Sequence, residues 1–336
     1  MKISMKFMFI MFLIISTFIC ISSNSWLGVW MGLEINLLSF IPLMNNNINS
    51  LSNEASLKYF LIQALASILL LFFICINFIN KNLFSMMFFN DFYLMMINTS
   101  LLMKMGAAPF HFWFPSIMNS MNWMNNLILM TWQKINPFIC ISYCINNKFL
   151  IIISLLSIII GSLGGLNTSS IRLLMSFSSI SHIGWMLMSL IMSEMSFWFY
   201  FSFYCLMSFS MIYMFNLMKL FYMNQFSNKS FPSLYKYIIF LSLLSMGGLP
   251  PFLGFIPKWI IIESMIKNNM ILISLLMVMM TLITLYFYLR LSFSAFMFHN
   301  SYTYWKMNMP VDFKIIFLWN FFSKMFIPLM FLMFMT

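Results

Sequence analysis

Four ionisable residues lie well inside long apolar runs of this chain: Glu34, Lys104, Lys134 and Lys258. His182 sits mid-run beside Ser176, Ser178, Ser179 and Ser181, and His111 lies inside a Gly/Pro break. A charge held at the centre of a bilayer costs about 2.5–3.5 kcal/mol even on lenient insertion scales. Such groups are expected to line a hydrated path and to move protons or ions. Lysine suits that task, because burial disfavours its charged form and a nearby carboxylate favours it. A shift of Glu34 relative to a lysine can therefore load or unload a proton. Simpler roles stand beside this one. Lys134 could snorkel toward an interface, Lys104 and Lys258 could cap carbonyls freed by a helix break, and Glu34 could be a structural counter-ion. His182 and His111 could be satisfied packing residues.

Two stretches place these lysines. Gly106-Ala-Ala-Pro109-Phe110-His-Phe-Trp113-Phe-Pro115 and Gly248-Leu-Pro-Pro251-Phe252-Leu-Gly-Phe255-Ile-Pro257 share Gly, Pro, Phe and a final Pro at a constant offset of 142 residues. Lys104 stands just before the first and Lys258 just after the second. Pro109, Pro250 and Pro251 remove backbone donors, and the carbonyls they release must be satisfied by protein or water rather than lipid. Gly/Pro-interrupted segments in corresponding places of two halves point to an ion site in transporter folds.

The elements that carry these residues are apolar runs long enough to cross a membrane. They are expected as helices at 7–22, 26–44, 57–79, 92–115, 123–144, 149–165, 172–192, 196–221, 237–262, 269–294 and 313–335. The fold class is thus an all-α polytopic membrane protein. About eleven transmembrane helices are expected, arranged as an inverted repeat of two five-helix units, each with one interrupted helix. The interrupted segments fall in the fourth and ninth spans, an odd separation that reverses direction through the membrane. One membrane domain is expected over 1–336, with a first half at 1–148, a second at 149–294, and a connection with a last helix at 295–336. Trp26 opens a second span directly after the first, so residues 7–22 read as a retained helix rather than a cleaved signal.

Basic residues orient the chain. Lys2, Lys6, Lys58, Arg172, Lys219, Lys229, Lys236, Arg290, Lys306 and Lys314 fall on the N-terminal side, against Lys81, Lys148 and Lys267 opposite. This predicts an N-terminus in the cytoplasm-equivalent compartment, which for a mitochondrial protein is the matrix, and a C-terminus across the membrane. Glu54 and Lys58 read as an ordinary i,i+4 pair, and Glu194, Glu263, Asp312 and Lys324 lie toward span ends.

Composition excludes the soluble classes. The chain is 62% hydrophobic and only 7% charged, far from the quarter charged of a soluble domain. Its net charge of +11 is scattered at span ends with no basic run, so nucleic acid is not an expected partner. Cys20, Cys75, Cys140, Cys144 and Cys205 form no CxxC pair, and neither a disulfide nor a metal is expected. No catalytic Ser/His/Asp set, phosphate-binding Gly loop, flavin or haem signature is present. The abundance of Met (39) and Phe (42), with only two Arg, matches an AT-rich gene read with a mitochondrial code.

The stretches SNSWLGVWMGLEINLLSFIPL (24–44), EASLKYFLIQALAS (54–67), LMKMGAAPFHFWFP (102–115), WQKINP (132–137), GGLNTSSIRLLMSFSSISHIGWM (164–186) and GGLPPFLGFIPKW (247–259) closely resemble the subunit 2 family of mitochondrial NADH dehydrogenase, respiratory complex I, in its insect-like forms. The resemblance implies an antiporter-like, proton-translocating subunit of the membrane arm in the mitochondrial inner membrane. It carries the polar-axis role onto Glu34, Lys104, Lys134 and Lys258, with His111 and His182 as members of the hydrated chain between them. It implies that NADH, FMN, iron–sulfur clusters and ubiquinone act in other subunits and that this chain binds no cofactor. The implied partners are other membrane-arm subunits and lipids, cardiolipin among them. A stand-alone cation/proton antiporter would share the same repeat, and a passive scaffold would tolerate neutral lysines. Transfer of one charge must also be driven from elsewhere, against about 2.3 kcal/mol per 100 mV.

Overall fold

A computed structural model of the chain describes residues 3–45, 49–83, 87–225 and 233–297. The expected last span at 313–335 and the connection leading to it after residue 297 lie outside the described residues, as do Lys2, Lys229, Lys306, Asp312, Lys314 and Lys324. The described residues are helical throughout, apart from turns and one isolated bridge between Ser170 and Tyr222. The chain divides into two compact units, Met1–Ser157 and Ile158–Thr336.

The first unit holds α1 (Ile3–Ser22), α2 (Trp26–Met44), α3 (Ser50–Leu83), α4 (Met87–Met105), α5 (Trp113–Ser120), α6 (Trp123–Met130) and α7 (Trp132–Tyr143). Helix α1 lies along α2, α3 packs on α2, α4 and α5, and α7 is gripped by α1, α2, α4 and α6. Gly32 makes the first of these contacts close, since a Cβ there would stand 2.9 Å from the Cys20 backbone nitrogen. Asn98 on α4 fastens the end of α7. Its amide donates to the Cys144 carbonyl at 2.8 Å, and the Cys144 thiol donates to its Oδ1 at 3.1 Å.

The helix α8 (Asn147–Leu166) leads into the second unit, which holds α9 (Ile171–Met192), α10 (Glu194–Met218), α11 (Ser233–Gly247), α12 (Phe255–Lys267) and α13 (Ile271–Met297). Helix α10 packs on α9, α11 and α12, while α13 closes on α11 and α12. Ser170 caps α9, accepting from the Leu173 N–H at 3.4 Å, and Ser193 caps α10 through Ser196 N–H at 3.2 Å. Helix α9 is the core of the unit, buried along almost its whole length. It approaches α8 at Gly161, where a Cβ would stand 2.6 Å from the Ser181 nitrogen and 2.8 Å from the Phe177 carbonyl oxygen. Gly161→Ala must therefore push backbone against backbone. We expect it to destabilise the unit by about 1–3 kcal/mol, read as a lower melting temperature of the purified assembly.

Among the described residues, seven helices are long and apolar enough to cross a membrane: α1, α2, α3, α8, α9, α10 and α13. They coincide with the first, second, third, sixth, seventh, eighth and tenth expected spans. The fourth and ninth spans are split where Gly and Pro predict it. The fifth is split too, at Thr131, where a continuous helix over 123–144 is expected. Thr131 stays in the right-handed helical region but is distorted, at φ −111° and ψ −70°. Its hydroxyl back-bonds to the Leu127 carbonyl at 2.8 Å, competing with the helical ladder. Pro137 adds a second weakness within α7.

Candidate functional site

The two interrupted spans end their first halves in the same way. Gly106 closes α4 at φ +74° and Gly248 closes α11 at φ +82°, a backbone region open to glycine without strain. After α4, the Ala107 N–H reaches the Leu102 carbonyl at 3.1 Å and the Gly106 N–H reaches Met103 at 3.3 Å. After α11, Leu249 reaches Leu244 at 3.5 Å and Gly248 reaches Ser245 at 3.2 Å. Both are the Schellman pattern, which satisfies part of the carbonyls exposed at a helix end.

The remaining carbonyls take side chains, and here the two breaks differ. In the first unit the Trp113 indole donates to Met103 at 3.1 Å, and Gln63 on α3 donates to the carbonyl of Lys104 itself at 3.1 Å. Lys104, in the last turn of α4, is thereby left with its ammonium free of capping work. In the second unit Lys258 Nζ caps the Gly247 carbonyl at 3.0 Å. A Cβ on Gly248 would meet that Nζ at 2.9 Å, so this glycine supplies both its φ and the space for the lysine. The capping role considered for both lysines holds for Lys258.

Lys134 is buried to 1% exposure on α7, directly after the Thr131 break. Its ammonium stands 5.5 Å from the centroid of Phe114, a cation–π contact carried across by the first interrupted segment. Snorkelling requires a head group in water and does not fit a fully buried lysine. Lys104 and Lys134 line one cavity, with Asn36, Tyr59, Gln63 and Gln133 as its other polar walls and an accessible volume of about 20 Å³. That is room for about one water.

Glu34 on α2 acts on Lys104 through space but does not close to an ion pair, as the exposed pairs Glu54–Lys58 and Glu263–Lys267 do. Glu34 Oε1 is buried without a hydrogen bond from the chain. His111 is buried within the first break, with Nδ1 3.2 Å from the Pro109 carbonyl and its ring 4.3 Å from Phe112. It does not line the cavity of the two lysines.

In the second unit His182 is buried on α9, its Nδ1 in hydrogen-bond contact with the Tyr200 hydroxyl at 2.8 Å and its ring 5.1 Å from that of Tyr204. The serines around it donate back to their own helix, Ser178 to Met175 at 2.8 Å and Ser181 to Ser178 at 2.7 Å. Their hydroxyls keep only acceptor capacity for other groups. Lys258 and His182 stand on the packed helices α12 and α9, each with its own partner.

Sequence reasoning passed over Asn36, Tyr59, Gln63, Gln133 and Tyr200. A signal existed, since each is a polar residue within an apolar run, but nothing in the spacing told which of many such residues would meet. The Cys20 and Cys140 thiols, from which the sequence predicts neither a disulfide nor a metal site, meet between α1 and α7 with their sulfurs 3.5 Å apart. Among the described residues no cluster of His, Cys, Asp and Glu could hold a metal ion.

Residues 23–284 match the sequence profile of the family described as NADH:quinone oxidoreductase/Mrp antiporter, TM. The chain belongs to this family. It is 55% identical over 300 residues to the NADH-ubiquinone oxidoreductase chain 2 of Anopheles gambiae, covering 88% of this chain and 87% of that one. The same-named proteins of Locusta migratoria and Canis lupus are 49% and 40% identical, over 88% and 83% of this chain and 87% and 82% of their own lengths. Among solved structures, a chain of respiratory complex I from Thermus thermophilus with bound aureothin superposes with a TM-score of 0.84 at 20% identity, covering 97% of this chain and 78% of the other. A chain of the Mrp complex from Dietzia sp. DQ12-45-1b gives 0.74 at 16%, covering 86% and 60%. These likenesses establish an antiporter-like helical fold.

Proposed function

We propose that this chain is a core membrane-arm subunit of proton-pumping NADH:ubiquinone oxidoreductase in the mitochondrial inner membrane, and that it translocates protons through its buried lysines. The observation that carries this reading is one water-sized cavity walled by both Lys104 and Lys134. A water between two buried lysines offers a proton a step that apolar packing would deny. Glu34 biases Lys104 electrostatically, protons enter from the matrix at Lys134 or Lys104, and release goes by way of Lys258. His182, with Tyr200, and His111 belong to the same conduction path. The two halves, 1–148 and 149–294, form an inverted repeat within an eleven-span chain, followed by 295–336, with the N-terminus in the matrix and the C-terminus in the intermembrane space. Redox work with NADH, FMN, iron–sulfur clusters and ubiquinone takes place in neighbouring subunits. Lipids, cardiolipin included, fill the outer surface.

Fifty-five percent identity to a complex I chain favours this assignment over a stand-alone cation/proton antiporter. Glu34→Gln tests it, since the change keeps size and removes one charge. We expect normal assembly with coupled turnover lowered on the order of tenfold, the effect of about 1.4 kcal/mol on a barrier. Proton uptake by vesicles is the measurement, and unchanged pumping per NADH oxidised would remove Glu34 from the mechanism.

A further inference from the structure

Gln133 sits on α7 between Trp132 and Lys134, and its side chain is held from two other helices. Asn36 on α2 donates to Gln133 Oε1 at 3.0 Å and accepts from its Nε2 at 3.2 Å, a reciprocal amide pair. Tyr59 on α3 donates to the same Oε1 at 3.3 Å. Two donors fill the two lone pairs of that oxygen, so it has no remaining capacity to capture a lysine ammonium. Asn36, Tyr59 and Gln133 are also walls of the cavity that Lys104 and Lys134 share.

Buried groups close along α2 and α7 to Asn36 and Gln133 point to water. Glu34 Oε1 on α2, and Trp132 Nε1 with both amide atoms of Asn136 on α7, take no partner from the chain. Buried polar atoms left dry are costly, and ordered water is their usual remedy.

We propose that Gln133 is a positioning residue for proton exchange between Lys104 and Lys134: clamped by Asn36 and Tyr59, its amide keeps a one-water cavity open between the lysines while its oxygen stays occupied by the two donors. This rests on the proton-translocation reading above. Without the clamp the freed oxygen binds an ammonium directly, and the exchanging proton is held.

The test is Gln133→Met in the assembled complex, in inner-membrane vesicles, reading amount of complex, coupled turnover, protons moved per NADH and the solvent isotope effect. We expect normal assembly, roughly tenfold slower coupled turnover and a larger isotope effect. Tyr59→Phe should move both in the same direction by less, and should add little to Gln133→Met because both act through one oxygen. Less complex with unchanged turnover per complex and unchanged isotope effect means a packing role, and overturns the proposal. Should Gln133→Met fail to assemble, Tyr59→Phe, which loses one hydroxyl and keeps its ring, decides by the same readouts. Lys104→Met in the same vesicles separates the two levels. Normal pumping there removes the underlying reading, whereas impaired Lys104→Met beside unimpaired Gln133→Met overturns the role of Gln133 alone.

Discussion

Lys104→Arg is expected to assemble into the complex and yet to stop proton pumping, with coupled turnover down on the order of a hundredfold, the low end for a lost positioned proton carrier. The argument turns on what arginine keeps and what it loses. It keeps a positive charge for the buried oxygen of Glu34, so the electrostatic balance of α2 and α4 survives. It loses the ability to release a proton, because a guanidinium stays charged in proteins. Lys104→Met loses both, and should fail in pumping and also yield less assembled complex. Measuring protons moved per NADH in vesicles from both variants separates charge from proton transfer. If the arginine form pumps normally, Lys104 serves only as a fixed charge and the relay reading of this lysine fails.

Gly254→Ala should prevent assembly. This glycine opens α12 with an ordinary φ of −69°, so its backbone could accept any residue. Space forbids it: a Cβ would overlap the Ser245 carbonyl oxygen and stand 3.2 Å from the Met207 sulfur. Ser245 belongs to the turn of α11 that the Schellman bonds hold, so relief requires the helix end to move, and with it the Gly247 carbonyl that Lys258 caps. We expect a cost of about 3 kcal/mol, the upper part of the overpacking range. Gly247→Ala is the matched control. Its Cβ would meet nothing closer than 3.5 Å, and its effect should be slight. Native gels of solubilised membranes read both variants. Normal levels of assembled complex with Gly254→Ala would show the close approach to be adjustable.

The two variants probe different kinds of information. Gly248, with φ +82°, is recognisable from sequence as the glycine of a break, because it stands before a Pro pair at the end of an apolar run. Gly254 carries no such mark, since its requirement comes from Ser245 across the turn. The same contrast separates the broken spans. The breaks after Lys104 and before Lys258 are legible because proline and glycine act on their own backbone. The break at Thr131 is not, because a threonine in an apolar run is compatible with a continuous helix until its hydroxyl turns back on Leu127.

Taken by itself, the sequence determined the membrane class, the seven uninterrupted spans among the described residues, the two glycine-closed breaks and the small set of ionisable residues within apolar runs. These follow from local chemistry: apolar length, missing donors, and the cost of a charge in lipid. Tertiary structure decided which residues meet. Asn36 reaches Gln133 across 97 positions, Gln63 reaches the carbonyl of Lys104 across 41, and only packing brings Lys104 and Lys134 to one cavity. It also parted the two break lysines, setting Lys258 to cap a carbonyl while Gln63 and Trp113 relieve Lys104 of that task. Contacts between distant positions depend on how helices pack, and no spacing along one chain records that.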